Sequence, residues 1–322
     1  MKCIVLLALS AIAIPALSQT LIATQSYPSK PFRFVVPFSA GSATDTASRY
    51  IGQKLTEATG QAVVVDNRPG GNGIIGVMAA KSAAPDGYTV LMSAITTHAG
   101  NPSLIKNIPY DAVKDFTPLT GLIRGALVMV VNPALPFKSV SDVVAAAKKE
   151  PGKYTFASGN FSTRGGAELF KMLAGIDIVH VPYKGVPPAL TDIVAGRVDM
   201  AFPDMVVAMP LVRSGRLRAL GVSSANRSAI APELPTIAEA GIAGYAVTGW
   251  VAAWLPAGVP MDVLARLNQH FVNVMTSKET REYFGRDGWE TFAGPPESLA
   301  EWQRTETEKW AHIIEAGKIQ AE

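Results

Sequence analysis

Pro37-Phe38-Ser39-Ala40-Gly41-Ser42-Ala43-Thr44-Asp45 joins a short apolar run, Phe32 to Val36, to an amphipathic segment that starts near Asp45. A strand, a small-residue turn and a helix start, in that order, aim backbone N–H groups at an anion. Ser39, Ser42 and Thr44 add hydroxyls, and nothing bulky in the turn obstructs the approach. The pattern recurs at Ser158-Gly159-Asn160-Phe161-Ser162-Thr163, ahead of a second apolar helix. Two such loops predict a carboxylate or phosphate gripped from two sides. Arg164 stands beside the second loop, and a guanidinium can hold a carboxylate through two parallel hydrogen bonds. A solvated residue at a helix start is its plainer alternative. Asp45 reads as a partner for an amino group or, more simply, as a first-turn acid that complements the helix dipole.

Other chemistries find little support. The histidines are His98, His180, His270 and His312, and none has metal-ligand spacing. His180 alternates within Ile178-Val179-His180-Val181 and is expected to be structural. His98 follows a strand end, where ligands of α/β sheets gather, so a cleft role and a plain loop role both stand. No G-x-S-x-G elbow and no paired carboxylates occur, which argues against a nucleophilic or acid–base enzyme. Asn67 to Gly73 is Gly-rich but matches no dinucleotide fingerprint and reads as a tight turn.

The elements that would position these loops alternate short β-branched runs with helical periodicity, so an α/β fold with mainly parallel strands is expected. Val63–Val65 reads as a buried strand, and further strands are expected at 88–92, 127–131, 154–156, 178–181, 198–202 and 217–222. Ser139-x-x-Asp142 marks a helix start that ends at Pro151-Gly152. Leu264, Leu267, Phe271 and Val274 share one helical face, and a last helix is expected from about Pro296 to Ala316. Two helices after the final strand would pack back on the first half of the chain. The expected organisation is therefore a discontinuous lobe of residues 27–127 and 253–322 and a second lobe of 128–252, with crossovers near Leu127–Val131 and Trp250–Leu255. Two such crossovers make a hinge beside a cleft.

Met1-Lys2, the apolar run Ile4 to Ile14 and Ala16-Leu17-Ser18 read as an export leader over residues 1–18, with the mature protein soluble in the periplasm. The run is shorter than the ~20 residues a membrane span needs. Cys3, the one cysteine, precedes the apolar core, so neither a lipid anchor nor a disulfide is expected. The formal charge of +3 falls to +2 when Lys2 is removed, and no basic run interleaved with aromatics occurs; nucleic acid is a poor partner.

Taken in order, these segments resemble the periplasmic solute receptors of tripartite tricarboxylate transporters, the Bug receptors. The resemblance runs from Tyr27-Pro28-Ser29-Lys30-Pro31 through Val35-Val36-Pro37-Phe38, Asn67-Arg68-Pro69-Gly70 and Ala84-Pro85-Asp86-Gly87-Tyr88-Thr89. It continues with Pro109-Tyr110-Asp111, His180-Val181-Pro182-Tyr183-Lys184-Gly185 and Leu234-Pro235-Thr236-Ile237-Ala238-Glu239-Ala240-Gly241. It implies a two-lobed Venus-flytrap binding protein of type II that carries a small mono- or dicarboxylate to membrane permease subunits, as a monomer without a cofactor or a metal. The grip would come from backbone N–H groups of Phe38–Asp45 and Ser158–Thr163, with bridging waters. Ser93, Thr96 and His98 match the third region of the first lobe, and Tyr183 and Lys184 a turn near the cleft. Three departures fall on the cleft: Ala40-Gly41-Ser42 where the family has Pro-Gly-Gly, Arg164 in a shortened second loop where it has His, and Phe202-Pro203-Asp204 where it has Phe-Asp-Asn. Arg164 hints at a second acidic group on the ligand. Phe38, Phe161 and Phe202 read as cleft walls that suit an aromatic carboxylate, or as lobe core. The chain alone does not separate a permease partner from a sensor kinase. A secreted carboxylate-ester hydrolase is the rival of another class, and it lacks an oriented base.

Overall fold

Five residues of alternating, largely buried character, Phe32–Val36, form the first strand of a computed structural model that describes residues 27–316 and Ile319. The export leader expected over 1–18 lies outside the described residues. In chain order the first elements are β1 Phe32–Val36, α1 Ala43–Thr59, β2 Val63–Asn67, α2 Ile74–Lys81, β3 Thr89–Ala94, α3 Asn101–Leu104, β4 Phe116–Ala126 and β5 Val128–Val131. There follow α4 Val140–Lys149, β6 Thr155–Ser158, α5 Phe161–Ala174, β7 Val179–Pro182, α6 Val186–Val194, β8 Met200–Ala201, α7 Met205–Arg213 and β9 Arg218–Val222. The chain ends with β10 Thr248–Pro256, α8 Met261–Thr276, α9 Lys278–Gly285, β11 Trp289–Thr291 and α10 Pro296–Ala316.

The strands form two sheets, ordered β11-β4-β10-β3-β1-β2 and β7-β6-β8-β5-β9, and the fold is a two-lobed α/β architecture. Both sheets are mixed rather than mainly parallel. Pairing is parallel for β1 with β2 and β3 and for β6 with β7 and β8. It is antiparallel wherever β4, β5, β10 or β11 takes part. The reason is geometric: β4 and β10 carry the chain between sheets, and β4 leaves the first sheet as β10 returns to it, so the two must run in opposite directions. β2 is an edge strand with Val64 58% exposed, not the buried strand its three valines suggest.

β10 pairs with β3 and β4 along its whole length, so the crossover expected at Trp250–Leu255 lies inside the first sheet. The second passage of the chain falls just before Thr248. Ser223 fastens both passages together. Its Oγ accepts the Leu127 N–H at 2.7 Å and donates to the Val247 carbonyl at 2.6 Å. One apolar cluster packs α1 and α8 on the first sheet and another packs α6 and α7 on the second. A third cluster runs across the opposite faces of both sheets under α2, α4, α5 and α10. The indoles of Trp250 and Trp254 anchor α10 to β10 by donating to Glu306 and Gln303 at 3.0 and 3.3 Å. Both tryptophans are therefore structural.

Candidate functional site

The first loop leaves β1 at Pro37 and enters α1 through Ser42, whose hydroxyl accepts the Asp45 N–H at 3.2 Å. It is tied from behind. Asp45 accepts from the Gly41 N–H at 2.9 Å and from Asn67 Nδ2 at 2.9 Å, and it pairs with Arg49 at 3.0 Å. Burial alone would raise this carboxyl, but the hydrogen bonds from Arg49, Gly41 and Asn67 outweigh it and hold Asp45 below the usual carboxylate range. Asn67 also donates to the Phe38 carbonyl at 3.1 Å, which fixes the loop to the end of β2.

The second loop leaves β6 at Ser158 and enters α5 through a capping box. Asn160 Oδ1 accepts the Thr163 N–H at 3.0 Å, and Thr163 Oγ1 accepts the N–H groups of Gly159 and Asn160 at 3.1 and 3.3 Å. Gly159 is required by close approach, because a Cβ there would lie 2.1 Å from the Gly185 carbonyl carbon. Ser158 Oγ lies 2.6 Å from Nε2 of His180 on the neighbouring strand.

The two loops face one another across a cavity of about 290 Å³. Its walls are Pro37, Phe38, Ser39 and Ser42 from the first loop, and Ser158, Gly159, Asn160, Phe161 and Arg164 from the second. Pro182–Val186, Gly70–Gly73 and Leu104 complete it. The first and second lobes touch here: Ser39 Oγ donates to the Lys184 carbonyl at 3.2 Å. Arg164 is largely buried, with its Nε 3.6 Å from Glu168 Oε1.

Of the residues singled out from the sequence, Phe38, Ser39, Ser42, Ser158, Asn160, Phe161, Arg164, Tyr183 and Lys184 line this cavity. Ala40, Gly41, Thr44, Ser162 and Thr163 belong to the same loops without lining it, and Asp45 acts behind the first loop. Ser93, Thr96 and His98 are fully buried elsewhere. Residues 96–100 wind into a π-helical turn that carries His98 onto the face of Trp254, with ring centroids 3.8 Å apart, away from the cleft. Ser93 and Thr97 hydroxyls bond each other beneath that turn. Phe202 is core rather than cleft wall, packed on Phe170 at 5.4 Å. Asp204 is buried at the crossing strands, where a Cβ on Gly249 would lie 3.0 Å from its Oδ1. Burial pushes its carboxyl up to about 6.

Sequence reasoning missed Gly70–Gly73 as a wall of the site. This turn follows the C-terminal end of parallel strand β2, where open α/β sheets bind ligands, and that position was the available signal. Arg164 and Lys184 are the charged residues among those lining the cavity, and no carboxylate joins them. With the starts of α1 and α5 behind the two loops, the space is suited to an anion.

The family model described as "Tripartite tricarboxylate transporter family receptor" matches residues 47–319. The protein BugT of Bordetella pertussis is 33% identical over 296 residues, covering 91% of each chain. Rpa4515 of R. palustris, solved with adipate, superposes with a TM-score of 0.90 at 31% identity, covering 92% of this chain and all of that one. MatC (Rpa3494) from Rhodopseudomonas palustris, solved with bound malate, superposes with a TM-score of 0.84 at 27% identity over 89% of this chain and all of that one.

Proposed function

The chain belongs to the tripartite tricarboxylate transporter receptor family, and we propose that it is a periplasmic carrier for a small dicarboxylate. The observation that carries this reading is the charge of the cavity wall: two cations, Arg164 and Lys184, are among its lining residues, and no acidic residue is. One carboxylate would meet the N–H and hydroxyl groups of the first loop, and the other would meet the second loop and the fork of Arg164. Phe38, Phe161, Leu104 and Val186 supply an apolar girdle for the chain or ring between the two charged ends. Adipate and malate, the molecules present in two related structures, share that design of two carboxylates on a short spacer. No helix among the described residues is long and apolar enough to cross a membrane, in keeping with a carrier that hands its ligand to separate permease subunits.

In this reading the first lobe comprises the six-stranded sheet and its helices, and the second lobe comprises β5 to β9 with α4 to α7. They divide at Leu127 and just before Thr248 and close on the ligand. No bond is made or broken. A carrier that must release its cargo works near micromolar affinity, about −8 kcal/mol. The test is a thermal-shift screen against mono-, di- and tricarboxylates, confirmed by calorimetry. A dicarboxylate should raise the melting temperature most, because binding to the folded state stabilises it. A panel that leaves the melting temperature unmoved would remove the carrier reading.

A further inference from the structure

A hydroxyl has one proton to give and two lone pairs to receive, so its usefulness to a carboxylate depends on where that proton already goes. Three hydroxyls of the two loops have committed theirs. Ser39 donates to the Lys184 carbonyl, Ser162 to Asn160 Oδ1 and Thr163 to the Asn160 carbonyl. Ser158 is different. It lines the cavity, and its side-chain partner is Nε2 of His180 at 2.6 Å. An imidazole nitrogen either accepts or donates, according to whether it carries hydrogen.

The two cases have opposite consequences. If Nε2 is bare, Ser158 spends its proton on the ring and offers the cavity only lone pairs, which repel a carboxylate. If Nε2 carries hydrogen, the ring donates to Ser158 Oγ and the serine proton is released toward the cavity. The ring is held in place for this exchange. His180 is the register partner of Phe156 across β6 and β7, and the two rings stack with centroids 5.0 Å apart and planes 25° from parallel. Phe156 is fully buried, so it forms a fixed platform.

We propose that His180 is a positioning residue for ligand binding: with hydrogen on Nε2 it donates to Ser158 and thereby makes the Ser158 hydroxyl a donor to the ligand carboxylate. This rests on the reading of the cavity as a carboxylate site. It also assigns the histidine of the strand edge, which the sequence presented as structural, to the selection of an acceptor-only ligand group. A neutral hydroxyl or amide ligand, able to donate to Ser158, gains no such advantage.

Calorimetry with adipate and with malate on wild type, Ser158→Ala, His180→Phe, His180→Gln and the double variant Ser158→Ala/His180→Phe tests it. His180→Phe keeps a ring on Phe156 but removes the donor, and His180→Gln restores an N–H. The wild type should bind at least one probe. Ser158→Ala should weaken it about tenfold or more, the loss for a hydrogen bond to a charged group, and His180→Phe should weaken it by less, because the hydroxyl keeps its proton and loses only the donor that aims it. The double variant should be no weaker than Ser158→Ala alone, and His180→Gln should recover part of the His180→Phe loss. Nitrogen-15 NMR of the wild-type complex should show hydrogen on Nε2 of His180, which the proposal requires. The proposal is overturned by additive losses, by unchanged binding in His180→Phe, or by a bare Nε2 in the complex. A wild type that binds neither probe nor any other carboxylate removes the carrier reading, and this inference with it.

Discussion

Arg164 sits where one guanidinium can separate two classes of ligand. It is largely buried at the cavity wall, where it pairs with Glu168 one helical turn on. If its fork takes the second carboxylate, Arg164→Ala should weaken a dicarboxylate by about 1.5–3 kcal/mol and leave the matching monocarboxylate nearly unchanged. Arg164→Lys should recover only part, because an ammonium lacks the planar fork. Calorimetry on both ligands decides, and equal losses would mean a distorted loop instead. Asp204 and His98, away from the cleft, respond to pH in opposite senses. Burial raises the Asp204 carboxyl from 3.8 to about 6, so its contribution to stability is full below pH 3.8 and lost as pH rises through 6. Burial lowers the His98 imidazole from 6.5 to about 3, so its contribution is full above pH 6.5 and lost as pH falls toward 3. Asp204→Asn should therefore stabilise the protein near neutral pH, with the gain vanishing in acid. Denaturant titrations at about pH 4 and pH 7 measure this, and a gain equal at both would contradict a buried carboxyl.

At the scale of elements, what the sequence revealed depended on whether a signal was local. The helix starts were legible because caps are short-range: Ser42 and Asn160 cap α1 and α5, and Ser139 with Asp142 forms the capping box of α4. The apolar face of α8 was equally plain, since Leu264, Leu267, Phe271 and Val274 all prove buried. The long strand β4 was missed, because Pro118, Gly121 and Gly125 interrupt its alternation and only its neighbours β10 and β11 make it a strand. The two readings of His98 could not be separated for a related reason: one π-helical turn after β3 redirects its side chain onto Trp254, and no spacing rule announces it. The passages between lobes were the least legible of all. Their pairing depends on Ser223, a small residue with two buried partners, Leu127 N–H and Val247 C=O. Ser223→Ala leaves both unsatisfied, so a loss of about 1–3 kcal/mol per abandoned group is the upper range expected. Urea unfolding should show a lowered midpoint with an unchanged slope. An unshifted midpoint would mean that water replaces the hydroxyl at no cost.

Across the whole molecule the two lobes touch beside the cleft, and the contact has a specific seat. Phe161, at the start of α5, is 99% buried against Gly100 of the first lobe and meets the Trp310 ring edge-on at 5.0 Å. A Cβ on Gly100 would lie 2.0 Å from Phe161 Cδ1, well inside contact distance. At Gly100 the contact between the lobes therefore leaves no room for an added atom. Its φ is not in the left-handed region, so alanine there strains the contact between lobes rather than the backbone. A ligand that touches both lobes favours closure only by its differential affinity for the closed state, and a wedge that disfavours closure must subtract from that affinity. Gly100→Ala should therefore expand the radius of gyration in solution scattering and weaken ligand binding, while thermal unfolding of each lobe stays cooperative. Shortening the opposing side chain, in Gly100→Ala/Phe161→Ala, should restore the compact profile even though Phe161 also borders the cavity. Retention of wild-type compactness and affinity in Gly100→Ala would show that the interface relaxes around the added methyl, and the coupling between lobe contact and ligand would have to reside in Ser39 and the 182–186 turn instead.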